Sequence, residues 1–280
     1  EALTEARTRE LFEGITPTNA PGITKIQLSN KSFDAPSARV AAEKLTLMKN
    51  LKFADLSDII AGRETSIGLE VLNIFSKALV ETPLVWVDLS DNALGPRGVN
   101  VCEPLLSSSE TLEGIAFKND GLSAEACEEI TRLFLKLSSP TRLKKLHFWN
   151  NMSGDGGAVA IAKLLKQSPY IEDFMMATTR CGEGGGVVLC KALKHCTMLH
   201  TVDMNDNTFN VSGAKELSLS LLSLPRLTEL NIGDLNFQDE GMAKIFKALG
   251  GDHACPLLER LHIHYNDLTH RPLRLLGQVL

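Results

Sequence analysis

No stretch of the 280 residues approaches the roughly 18 consecutive apolar positions of a membrane-spanning helix, and no signal peptide is visible. Basic residues do not dominate: 29 Lys and Arg stand against 34 Asp and Glu, the net charge is −5 and the pI is about 5.8. That argues against a nucleic-acid surface, which needs a basic stripe. No C-x-x-C pair occurs among Cys102, Cys127, Cys181, Cys190, Cys196 and Cys255, and several of these sit at core-like positions. A reduced intracellular compartment is the simplest reading. No nucleophile, base and orienter form a visible set, and no metal cluster does, so a hydrolase is a distant reading. The chain begins at Glu1 rather than a methionine and reads as a fragment of a longer protein.

What is present is a repeat. Leu84 to Gly98 reads L-x-x-V-x-L-x-x-N-x-L-x-x-x-G. Val87 and Leu89 alternate with Trp86, Asp88 and Ser90, as in a short strand with one buried face. The same register returns at Leu28, Leu56, Leu89, Phe117, Phe148, Met176, Met204, Ile232 and Ile263, with a step of about 29 residues. Asn92, Asn151, Asn207 and Asn266 hold an asparagine position suited to bonding the turn backbone; Lys31, Ile59, Asp120, Thr179 and Leu235 replace it elsewhere. Small residues recur at Gly98, Ala126, Gly157, Gly185, Gly213 and Gly241. This is the leucine-rich repeat pattern. It predicts an α/β solenoid, a crescent with parallel inner strands and outer helices. Hydrophobic residues make up 44% and charged residues 22%, ordinary for a globular chain. Length alone suggests about two domains, but the repeat argues for one solenoid.

Along the chain, residues 1–22 read as a cap or linker, helical at first and then broken by Pro17, Asn19, Pro21 and Gly22. Residues 23–280 read as the repeat domain, with about nine repeats. A helix is expected over Gly157 to Gln167, where Ala158, Ile161, Ala162 and Leu165 keep helical spacing. Arg271 to Leu280 reads as a helical segment without a polar cap, so the natural protein is expected to continue. The step from Leu56 to Leu89 is about five residues longer than most, and its extra length follows the second strand at Ile59 to Thr65. Insertions of this kind map to loops on one face, often the binding face.

At that loop, Phe53 to Arg63 (FADLSDIIAGR) resembles the signature of RanGAP, the GTPase-activating proteins of the small GTPase Ran. Ser90 to Pro96 (SDNALGP) is similar to the family's next repeat, Lys118 to Leu122 (KNDGL) to its N-N-G-L loop, and His147 to Gly157 (HFWNNMSGDGG) to the plant-type branch. The resemblance runs from about Ile26 onward. It implies that Arg63 is the family's loop arginine. Asn119 then matches the first loop asparagine, which helps to order the GTPase's own catalytic glutamine. Two departures stand out: the second loop asparagine is Asp120 here, and fungal members carry a lysine where this chain has Thr65. The plant-type amino-terminal targeting domain and the family's acidic tail are absent from this sequence.

Each candidate has a plainer alternative. Arg63 could be an arginine finger. It could equally be a surface arginine packed on its loop or paired with Glu64 or Asp58. The resemblance favours a role at the interface or in the loop over a finger. Asn119 is either a turn asparagine or a polar contact to the GTPase. Gly182, Gly184, Gly185 and Gly186 lack the order of a phosphate-binding loop, so the chain itself is not expected to hold GTP. His147, His262 and His264 alternate on strands, with no third ligand specified for a metal. The catalytic candidates are therefore Arg63 and Asn119, and the partner-facing set is Thr65, Asp88, Asp91, Lys118, Asp120 and Trp149. The resemblance implies a monomeric, non-enzymatic activator of Ran, with GTP and Mg²⁺ carried by the partner. It implies a role in nucleocytoplasmic transport, in the cytoplasm or at the nuclear envelope, and leaves room for an accessory Ran-binding protein. The alternative is a scaffold or inhibitor-type leucine-rich repeat module without catalytic effect.

Overall fold

The computed structural model describes residues 2–251 and 254–277. Nine strands form one sheet whose spatial order is the chain order. They are β1 (Lys25–Gln27), β2 (Phe53–Asp55), β3 (Trp86–Asp88), β4 (Gly114–Lys118), β5 (Lys145–Trp149), β6 (Asp173–Ala177), β7 (Thr201–Asp203), β8 (Glu229–Asn231) and β9 (Arg260–His262). Every pairing is parallel, and one register runs through Ile26, Ala54, Val87, Ile115, Leu146, Phe174, Val202, Leu230 and Leu261. Two residues further on stand the nine positions expected from the repeat. Leu28 to Ile232 in that series are buried, and Ile263 packs against the core at its end.

Helices connect successive strands and pack neighbour against neighbour: α2 (Ala35–Leu45), α3 (Thr65–Ala78), α4 (Gly95–Val101), α5 (Glu103–Leu106), α6 (Ala124–Leu137), α7 (Gly154–Leu165), α8 (Glu183–Leu193), α9 (Asn210–Leu221), α10 (Gln238–Leu249) and α11 (His270–Leu276). The third repeat breaks its helix in two at Cys102. Pro104 follows in the first turn of α5, where its missing N–H costs nothing. Ahead of the sheet, α1 (Glu5–Leu11) lies on α2, and Ala2 bridges Ser32 in parallel. The helix expected from Gly157 begins earlier, at Gly154, whose φ of +55° lets the loop turn into the helix. The last three residues of the expected segment to Leu280 lie outside the described residues.

The core is aliphatic and phenylalanine-rich; Phe117 and Phe148 stack with ring centroids 5.4 Å apart. All six cysteines are free and buried, and burial pushes the Cys102 and Cys127 thiols up to about 12. Thiols held protonated in this way are poor nucleophiles.

Candidate functional site

The site is built on a backbone feature shared by all nine repeats. Four residues past each register position, Asn30, Asp58, Asp91, Asn119, Asn150, Thr178, Asp206, Asp234 and Tyr265 adopt left-handed φ values. Asn and Asp tolerate this region better than other residues with a Cβ, which explains why they fill most of the row. The same residue donates its N–H to the next repeat: Asp91 to the Lys118 carbonyl at 2.7 Å, Asn119 to Trp149 at 2.7 Å, Asn150 to Ala177 at 3.1 Å. Its side chain points away from the core, so the row forms a polar ridge along the loops.

On that ridge Asn119 is fixed from both sides. Its Nδ2 donates to Asp91 Oδ1 at 2.9 Å, and its Oδ1 accepts from Asn150 Nδ2 at 3.0 Å. Its amide is exposed yet oriented, with one N–H and one lone pair still available. Asn150, which the sequence reading did not single out, completes this row; its signal was the Asn150–Asn151 pair standing one repeat after Asn119–Asp120. Arg180 was also missed. It is exposed, lines the same groove as Asn119 and Asn150, and has no carboxylate partner among the described residues.

Beneath the ridge runs the asparagine ladder. Asn92 Oδ1 accepts from Ile59 N at 3.0 Å, while its Nδ2 donates to the Leu56 and Leu89 carbonyls at 2.8 Å each. Asn151, Asn207 and Asn266 repeat this bridge between neighbouring turns. Asp120 occupies the same position in the fourth repeat and is fully buried. The expectation that it faces a partner does not hold: the repeat geometry turns this position inward.

Arg63 is anchored rather than extended. Its Nε donates to Ser32 Oγ at 2.9 Å, and its Nη2 donates to the Ser32 carbonyl at 2.7 Å and the Leu3 carbonyl at 3.5 Å. Neither Glu64 nor Asp58 pairs with it. The guanidinium thus ties the long second loop to the first repeat and to the chain's amino-terminal segment. Thr65 opens α3 and is exposed. Arg63, Thr65 and Asp91 line one cleft between the second and third loops. Asp91 therefore joins that cleft to Asn119, which lies in the next groove.

The remaining candidates lie on the strand face. Asp88 is half-buried and accepts from Ser90 N at 2.9 Å. Lys118 and Trp149 face each other across the β4–β5 register, and Trp149 is 44% exposed. Beside them His147 Nε2 stands 3.0 Å, and Lys145 Nζ 3.1 Å, from Asp173. Burial raises the Asp173 pKa, but these two groups outweigh it and hold the carboxyl below its usual range. Among the described residues no group of three or more His, Cys, Asp or Glu could hold a metal ion.

These features define a leucine-rich repeat solenoid. Residues 195–218 match the family described as Leucine Rich repeat. A chain of the yeast Rad7 and Elc1 complex has the same architecture, with a TM-score of 0.55, 14% identity and coverage of 96% of this chain and 62% of that one. In sequence the chain is similar to the Ran GTPase-activating proteins. It is 41% identical over 111 residues to RAN GTPase-activating protein 1 of Arabidopsis thaliana, 39% of this chain. It is 48% identical over 107 residues to RAN GTPase-activating protein 2 of the same plant, 37% of this chain. Each match spans 20% of the relative's length.

Proposed function

We propose that this solenoid binds Ran in its GTP form and accelerates GTP hydrolysis by ordering Ran's own catalytic machinery. The observation that carries the reading is Asn119: an exposed amide, oriented by Asp91 and Asn150, at the position matching the family's N-N-G-L loop. Ran would carry the Mg²⁺, the phosphate-binding loop and a glutamine able to orient water. A neutral amide docked beside that glutamine holds it by hydrogen bonds without adding charge, and positioning alone is worth several kcal/mol in such chemistry. The chain is then an activator rather than an enzyme, acting on its partner's active site in nucleocytoplasmic transport, in the cytoplasm or at the nuclear envelope.

Arg63 enters this reading as a loop residue. Three hydrogen bonds already hold its guanidinium against Ser32 and Leu3, and reaching a partner's γ-phosphate would break them. Its part is to hold the second loop, and with it Thr65 and the cleft wall opposite Asp91. Asp88, Lys118 and Trp149 give the adjoining strand face a mixed polar and aromatic surface for the same partner. Single-turnover GTP hydrolysis by Ran, with and without the chain, tests the reading. Stimulation by orders of magnitude is expected, and binding with an unchanged rate would reduce the protein to a non-catalytic module.

A further inference from the structure

In four repeats the ladder asparagine divides its work between two atoms. The Oδ1 accepts N–H groups of the preceding turn, and the Nδ2 donates to carbonyls within or just past the strands: Leu56 and Leu89 from Asn92, Phe117 from Asn151, Met176 and Met204 from Asn207, Ile232 from Asn266. Asp120 takes this position between Asn92 and Asn151. Its Oδ1 does the usual task, accepting from Asn92 N at 2.9 Å. Its Oδ2 is buried and has no hydrogen-bond partner. By the repeat, Oδ2 stands where an amide N–H should meet a main-chain carbonyl, and an ionised oxygen there would face another oxygen.

We propose that Asp120 is a proton-bearing ladder residue: its Oδ2–H donates to a main-chain carbonyl as the asparagine amides do, and loss of this proton loosens the ridge that positions Asn119. The charged groups acting on it oppose its ionisation. Asp91 and Asp88 face it from the preceding repeat with like charge, and the thiol of Cys102 lies at the break between α4 and α5 of that same repeat. Burial pushes the Asp120 carboxyl well above the usual range, against the single N–H of Asn92. Asp120 N and Leu122 N both donate to Asn151 Oδ1, so the turn that carries Asn119 is bonded to the same ladder. The protonation stands on the ladder geometry alone; its effect on activation rests on the function proposed above.

Equilibrium unfolding of the chain and of Asp120→Asn, from about pH 4 to about pH 8, tests the proton. The folded chain keeps a proton that the unfolded chain releases near pH 4, so rising pH favours unfolding of the wild type. The Asn variant should match the wild type at the acid end. It should then gain on it by up to tenfold in folding constant per pH unit, until Asp120 ionises in the folded state. A constant ratio across the range overturns the proposal. Should the variant fold poorly, a carboxyl ¹³C titration of the wild type decides. The assigned Asp120 carboxyl still protonated after the exposed aspartates have ionised supports the proposal, and its ionising together with them overturns it. In Ran assays the wild type should lose stimulation at high pH relative to Asp120→Asn. No stimulation by either chain would defeat the functional reading and leave the unfolding result standing.

Discussion

Asn207 closes a bridge of buried hydrogen bonds between the sixth and seventh repeats: its Oδ1 accepts from Thr179 N and Cys181 N, and its Nδ2 donates to Met176 and Met204. Asn207→Ala leaves these groups unpaired in the core, so a loss of at least about 1–3 kcal/mol is expected from denaturant unfolding. Asn119 sits one residue before the same position but differs in what it costs to change. Its φ of +55° makes alanine there strained by about 1–2 kcal/mol, whereas glycine removes the amide without that strain. Asn119→Gly is therefore the informative substitution. Arg63 is the reverse of a simple surface residue. Losing its charged hydrogen bonds to Ser32 and Leu3 should cost about 1–2 kcal/mol, half-exposed as it is. Arg63→Ala should raise amide hydrogen exchange in α1, and unchanged exchange there would contradict the anchoring role.

The helices meet one another through the small-residue column, and α8 offers a matched pair of positions. A Cβ at Gly185 would stand 2.7 Å from the Asp155 Cα and 2.7 Å from the Cys181 sulfur, so main chain would have to move. A Cβ at Gly184 would meet only the Asp155 Oδ2, the far end of a flexible side chain, at 2.9 Å. Alanine gains about 1 kcal/mol of helix propensity over glycine at either place. Overpacking of about 1–3 kcal/mol should outweigh that gain at Gly185 only. Gly185→Ala should thus lower the unfolding midpoint while Gly184→Ala holds or raises it; equal effects would show that the helix layers are looser than the contacts indicate. The column was readable in advance because Gly98, Ala126, Gly157, Gly185, Gly213 and Gly241 keep one offset from the strand register. The break between α4 and α5 was not read, since the apolar spacing runs through Cys102 without interruption and only the paired helix ends reveal it.

Across the whole molecule, the solenoid was legible because the units share one strand register, four of them add the inward asparagine and six the small residue. Local signals repeated at one spacing reinforce each other. The site was legible only in part. Asn119 and Asp91 were visible as loop polar residues, but the row through Asn150 depends on side chains a repeat apart. Arg63 was visible as a loop arginine, yet its partners lie 31 and 60 positions away in sequence, where no local pattern points to them. Asp120 looked like a surface carboxylate because aspartate is seldom buried unpaired, and the ladder overrode that tendency. On the proposed function, one oriented amide on the ridge accelerates Ran's chemistry rather than merely its docking. The most direct measurement is single-turnover GTP hydrolysis by Ran at saturating chain, comparing the wild type with Asn119→Gly. We predict a rate that stays depressed by about tenfold or more at saturation, equivalent to at least about 1.4 kcal/mol of transition-state stabilisation. A saturated rate equal to wild type would contradict the claim and leave Asn119 a turn residue of the repeat.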